Sequence, residues 1–259
     1  PLCCGDGVYG SVETQDFQVL FYRSDLLEMM GLEVPETWTD VRQMMPVLLR
    51  NSMNFGFPIA SGSSFKSFQV TSPYIYQNNG SFYSLDGAST AIDDEEAMQG
   101  FREMTELFTI YGGQSVVANF YNSFRFSEIP IGISNFSTYM QLQVAAPELV
   151  GRWDIALRPG TVQSDGSIVR YQVADSTACM IFESTKKPEE AGKFLMWWLS
   201  EETQLQYGNR LKSSYGTQYS WNTANLNAFS QMDYPEEHKA IILQQWREQK
   251  ENPRHPANY

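Results

Sequence analysis

The chain has 259 residues, 42% apolar and 14% aromatic, and its 18 basic against 30 acidic side chains give a net charge of −12. That length can bury a sizeable core in one large or two ordinary domains. The negative balance opposes nucleic-acid phosphates and favours a neutral or cationic ligand, and no apolar run approaches the ~20 residues of a membrane helix. Three cysteines, two of them adjacent, form no disulfide framework. Cys179 lies in the apolar run 177–182 and reads as a buried small hydrophobe. His238 and His255 are the only histidines and stand apart from cysteines and spaced carboxylates, so no zinc site is expected. The opening PLCCGDGVYG has neither a basic nor an apolar leader region.

In chain order, residues 7–22 read as extended, and the period-two run Phe17, Val19, Phe21 suits a half-buried strand. Ser24 or Asp25 can cap a short helix through Leu26, Leu27, Met29 and Met30, which Gly31 ends. Pro35 blocks re-entry, and Thr37 offers an N-cap oxygen to a helix carrying Val41, Met44, Met45 and Leu48. Residues 52–92 are loop-rich and aromatic, with a helix near Ser67–Tyr76. Asp93 or Asp94 starts a helix whose face is Ala97, Phe101, Met104, Leu107, Phe108 and Tyr111, stopped by Gly112-Gly113; Glu95 and Glu96 read as first-turn charges opposing the helix dipole.

Beyond it, Pro130–Ser134 reads as a strand, Phe136–Val144 as a helix, and Trp153–Leu157 as a strand stopped by Pro159-Gly160. Thr177–Phe182 is an apolar strand, and Lys187-Pro188-Glu189-Glu190 starts one amphipathic helix, Ala191 to Tyr207. Helices are expected again at Ala224–Phe229 and Glu236–Glu251. The pattern predicts burial of Phe21, Trp38, Leu48, Phe101, Leu107, Ile133, Ile155, Ile181, Phe194 and Leu199. Trp197 and Trp198 read as core with Trp38, Trp153 stays undecided, and Tyr215 and Trp221 fall in an irregular stretch.

Tyr22-Arg23-Ser24-Asp25-Leu26, then Gly31-Leu32, then Pro35-Glu36-Thr37-Trp38 resemble the signature of extracellular solute-binding proteins of the maltose-binding type, with Arg23 where that family usually has Asn. The resemblance continues in order. Ser72-Pro73-Tyr74 precedes Asn78-Asn79-Gly80, and FSEIPIGISNFSTYM (126–140) is similar to a Gly-x-Ala-Ala-Met strand and its aromatic helix start. WDIALRPG (153–160) is similar to a strand ending in Pro. Residues 177–191 and Trp197-Trp198-Leu199-Ser200-Glu201-Glu202 resemble the returning strand and helix. Ile129-Pro130-Ile131 departs from the family's small residues, and no Trp follows.

The resemblance implies an α/β fold of the class II periplasmic-binding-protein-like type, a mixed sheet flanked by helices in which one antiparallel strand interrupts parallel ones. It implies a truncated chain: residues 1–12 as an interlobe strand, 13–165 and 212–259 as a nearly whole C-terminal lobe, and 166–211 as a piece of the N-terminal lobe. It further implies the substrate-binding component of an ABC importer, taking a sugar or oligosaccharide by hinge closure and delivering it to permease transmembrane subunits. No cofactor, metal or catalytic residue is implied. The location implied is the outer face of the cytoplasmic membrane, held by a lipid anchor, or the periplasm.

A sugar site needs aromatic faces for stacking and short polar groups for hydroxyls. Tyr74, at the family's matching aromatic, is the first stacking candidate, with a core tyrosine as its plain alternative. Asn135, Phe136 and Tyr139 open a helix whose free N–H groups and rings could meet a ligand, or plug the core. Glu13 and Gln15, beside Thr14, fall at the interlobe crossing, as contacts or as solvated hinge residues. Asp175 and Ser176 face the cleft from the returning segment or cap a turn. The competing functions are a glycoside hydrolase, which needs two opposed carboxylates, and a sensor-type carbohydrate-binding module. The chain contains no G-x-S-x-G, P-loop or H-E-x-x-H.

Overall fold

The computed structural model describes residues 2–4, 7–58, 64–114, 117, 119–173 and 175–250. The chain opens with β1 (Leu2–Cys4), β2 (Gly7–Asp16) and β3 (Gln18–Arg23), then α1 (Ser24–Met30), α2 (Trp38–Arg50), β4 (Phe55–Gly56), α3 (Ser64–Gln77), α4 (Glu95–Thr109) and α5 (Phe120–Arg125). β5 (Ile131–Asn135), α6 (Phe136–Ala145) and β6 (Trp153–Ala156) follow, then four short strands, β7 (Thr161–Val162), β8 (Ile168–Val169), β9 (Gln172–Val173) and β10 (Asp175–Met180). Helices α7 (Pro188–Trp198), α8 (Glu201–Tyr215), α9 (Leu226–Gln231) and α10 (Glu236–Arg247) lead to β11 (Gln249–Lys250).

The main sheet runs β4-β5-β3-β6. β3 is antiparallel to both β5 and β6, while β4 is parallel to β5. This is the mixed sheet that the resemblance implied, with β3 as its interrupting strand. β3 is buried on both faces rather than one. Phe17, Val19 and Phe21 enter one cluster with Ile155, Tyr139, Phe229 and Ile242, and Leu20 enters a second with Trp38, Met45, Ile131 and Ile133. A period of two sends alternate side chains to opposite faces, so a central strand under two helical layers loses its polar face. Each such side chain contributes about 1.5–3 kcal/mol on burial.

Local chemistry sets the helix ends. Thr37 accepts from the Asp40 N–H at 3.2 Å and the Asp40 carboxylate accepts from the Thr37 N–H at 2.8 Å, closing a capping box on α2. Gly31 sits at φ +66° and ends α1 in the left-handed region. Neither Ser24 nor Asp25 caps α1: Arg23 occupies that position, and its guanidinium grips the Asp25 carboxylate at 2.8 and 2.7 Å. Gly132 lets β4 and β5 meet, since a Cβ there would stand 2.5 Å from the Gly56 carbonyl oxygen.

The second sheet is β1-β2-β10. β10 and β2 are antiparallel, with Ser176 opposite Gln15 and Thr177 opposite Thr14, and a bulge between Thr177 and Ala178. β9 pairs in parallel with β11 and lies against α3. The helix expected from Ala191 to Tyr207 is two helices. Leu199 ends α7, and Ser200 caps α8, its hydroxyl accepting from the Thr203 N–H at 3.3 Å.

Burial differs from expectation around α7 and β10. Phe194 is 58% exposed and Ile181 38%, Trp197 is exposed, and Leu199 and Trp198 are half-buried. Periodicity identifies an apolar face but not its cover, and no described element covers the Phe194 face of α7. Phe101, on α4, is also exposed, because Ala97, Gly100 and Leu107 carry the inward face of that helix. Cys179 is half-buried rather than enclosed. Among the described residues no helix is long and apolar enough to cross a membrane.

Candidate functional site

Three segments run side by side where the two sheets meet. β2 pairs with β10 on one edge, and on the other Thr14 bridges Thr223, the Ala224 N–H donates to the Glu13 carbonyl at 3.0 Å, and the Gln15 N–H donates to the Asn222 carbonyl at 3.2 Å. The Thr14 and Thr177 hydroxyls bond to one another across the strand pair. The last residues of β2 then meet the start of α6. Asp16 accepts from the Asn135 side-chain amide at 2.9 Å and from the Phe136 N–H at 3.0 Å, while Asn135 accepts from the Thr138 N–H at 3.4 Å.

The predicted residues divide sharply. Glu13, Gln15, Asn135 and Phe136 are half-buried and lie around this junction, and Ser176 is exposed opposite Gln15. Glu13 accepts the Trp198 indole N–H at 2.6 Å, tying α7 to β2, and Gln15 donates to the Gln249 side-chain oxygen at 2.8 Å. Phe136 meets Phe17 edge-on at 5.4 Å between ring centres and keeps part of its surface open. The backbone of Asp175 pairs with Asp16, and its side chain lies outside the described residues.

Tyr74 and Tyr139 are corrections. Tyr74 is fully enclosed against Trp38, 4.4 Å between ring centres, so it has no free face. Burial pushes its hydroxyl well above the usual range for tyrosine. Tyr139 is also buried, its hydroxyl hydrogen-bonded to His238 Nδ1 at 2.7 Å, and His238 Nε2 lies 2.8 Å from Asp154. Burial pushes the Tyr139 phenol upward. The expected open N–H groups of α6 are partly spent, those of Phe136 and Thr138 on Asp16 and Asn135.

Asp16 is the junction residue that pattern reading missed; an acid next to the start of a strand carried no distinguishing signal. Trp221 packs with Trp198 and Tyr207 and donates to Gln204 at 2.6 Å, whereas Tyr215 is exposed. Among the described residues no group of three or more His, Cys, Asp or Glu could hold a metal ion.

Solved structures share this fold. The sugar-binding protein MalE from Xanthomonas citri superposes with a TM-score of 0.74 at 15% identity, covering 98% of this chain and 62% of that one. A maltose-bound MalE3 of T. maritima gives 0.69 at 17%, covering 99% and 65%. A solute-binding protein of an ABC transporter from Thermotoga lettingae, bound with α-D-tagatose, gives 0.66 at 17%, covering 93% and 61%. The chain thus spans less than two thirds of the length of these structures. No curated protein matches the sequence. The family model for bacterial extracellular solute-binding proteins matches residues 6–205, and the chain belongs to that family.

Proposed function

We propose that the chain is the substrate-binding component of an ABC importer, capturing a sugar or oligosaccharide outside the cytoplasmic membrane and presenting it to a permease. The observation that carries this reading is the crossing at β2, β10 and residues 222–224, where Gln15, Asn135, Ser176 and the open side of Phe136 gather. Amides and hydroxyls beside a partly open ring suit the hydroxyl edge and C–H face of a saccharide. The sugars in the matched structures support that ligand class.

In this reading residues 13–165 and 212–259 form the C-terminal lobe, 1–12 the interlobe strand, and 166–211 part of the other lobe. The pairing of β9 with β11 ties Gln172 and Val173 to the C-terminal lobe as well. Closure about the crossing adds contacts absent from the open form, and those contacts shift the population toward it. No bond is made or broken. The protein works either lipid-anchored on the membrane or free in the periplasm.

Calorimetric titration with a saccharide panel, combined with a product assay, tests the reading. Gln15→Ala and Asn135→Ala each weaken the best saccharide by about tenfold, one hydrogen bond of roughly 1 kcal/mol or slightly more apiece. Release of a cleaved sugar, or unchanged affinity in both variants, overturns it.

A further inference from the structure

Arg158 stands just beyond β6, is 1% exposed, and among the described residues has no carboxylate within ion-pair distance. Its Nη1 donates to two neutral acceptors, Gln18 Oε1 at 2.8 Å and Gln172 Oε1 at 3.2 Å, and its backbone N–H donates to Gln245 Oε1 at 2.9 Å. Burial pushes the guanidinium down to about 10, which leaves it charged at neutral pH. A buried charge is normally matched by an opposite one, because amide oxygens only partly offset the loss of its hydration.

The unspent groups around it have one character. Arg158 Nε, the Gln172 amide nitrogen, the Gln249 amide nitrogen and the Tyr74 hydroxyl are all buried without a hydrogen-bond partner. Gln172 touches the guanidinium directly, Gln249 is its register partner in the β9–β11 pair, and Tyr74 lies within electrostatic reach of Arg158. Three of these can only donate, and the fourth can donate. Native proteins leave few buried polar atoms unpaired, and several donors around one cation call for an acceptor. The cluster lies at the carboxyl ends of β5 and β6, where α/β sheets bind ligands.

We propose that Arg158, Gln172 and Gln249 form an anion site that takes a carboxylate-sized monoanion, either a free ion or the carboxylate of an acidic saccharide. It goes beyond the sugar-binding reading, and every residue it needs belongs to this chain. The net negative charge of the protein does not oppose it, since the guanidinium sets the local field at contact distance.

The test is calorimetric titration of the whole chain with formate, bromide, glucuronate and glucose, in Hepes free of other small anions, together with bromide-soaked crystals read by anomalous scattering. Saturable binding of at least one anion is expected, weakened about tenfold or more by Arg158→Gln and by a smaller factor by Gln172→Leu. Gln172→Leu keeps the guanidinium and serves if Arg158→Gln does not fold. Glucuronate alone marks a saccharide carboxylate; formate and bromide alone mark a resident small anion; both support the site. Absence of saturable anion binding, equal affinity in the folded variants, or bromide bound away from Arg158 overturns it. Glucose binding without anion binding removes this site and leaves the sugar reading intact. Anion binding without any saccharide does the reverse.

Discussion

Trp38 offers a sharp test of how the main core is held. Its ring is 1% exposed and packs on Tyr74, Phe55 and Phe57, while its indole N–H donates to Gln77 Oε1 at 2.8 Å. Gln77 is itself fully buried, and its amide nitrogen donates to the Tyr171 carbonyl at 3.0 Å. One side chain thus joins α2, α3 and the segment leading to β9. Trp38→Phe keeps a six-membered ring but removes roughly two methylene equivalents, about 1.6 kcal/mol, and one buried hydrogen bond, about 1 kcal/mol. The expected loss is about 2.5 kcal/mol, which is about 5–10 °C in Tm for a chain of this size. Gln77→Met strands both the indole N–H and the Tyr171 carbonyl and costs about 2–3 kcal/mol. The two share one bond, so the double variant loses about 1 kcal/mol less than the sum. Urea unfolding followed by far-ultraviolet circular dichroism measures all three. Additivity within about 0.3 kcal/mol, or a Trp38→Phe cost under about 1 kcal/mol, refutes the account.

Other consequences follow from single residues. Thr37→Ala opens the capping box of α2 and lowers stability by about 1 kcal/mol in the same unfolding assay. Gly31→Ala meets no atom within 4 Å, so its cost is the left-handed backbone alone, about 1–2 kcal/mol. Gly132→Ala drives its methyl into the Gly56 backbone and costs more, about 3 kcal/mol or complete loss of folding; the reverse order of the two glycine variants would contradict the β4–β5 approach. Arg23 holds the Asp25 carboxyl below its ordinary 3.8, chiefly through their hydrogen bonds. A depressed carboxyl contributes stability above pH 3.8 that is lost as pH falls through its folded value. Asp25→Asn therefore flattens the pH dependence of Tm below about pH 4, and an unchanged acid limb in that variant argues against the pair.

How much was legible in the sequence depended on whether a signal was local. Gly31, Pro35 and Thr37 impose backbone geometry within a few residues, so the α1–α2 joint could be read directly. The mixed sheet came through resemblance, because nothing in a strand's own residues names its neighbours. Tyr74 shows the failure of judging exposure from sequence neighbours: Ser72 and Asn78 are polar, yet helical spacing puts Val70, Tyr74 and Gln77 on one inward face. The same limit applies to Phe194 and Ile181, whose apolar pattern was read correctly and whose cover was not. At the junction Gln15 was singled out by its place at the crossing that the resemblance implies, and Asn135 by its place at a helix start. Asp16 and the Arg158 cluster were not, since their meaning lies in partners more than a hundred residues away, Asn135 and Gln18.

The three-segment strip formed by β2, β10 and residues 222–224 has a mechanical consequence. Three plies laced by backbone hydrogen bonds resist sliding past one another, because each step of slip breaks several bonds together. Flexing across the flat of the ribbon needs only small φ/ψ changes shared over many residues, and the irregular register after Thr177 concentrates that flex. The strip therefore behaves as a leaf spring: compliant about one axis, stiff about the others, and self-returning once the load is gone.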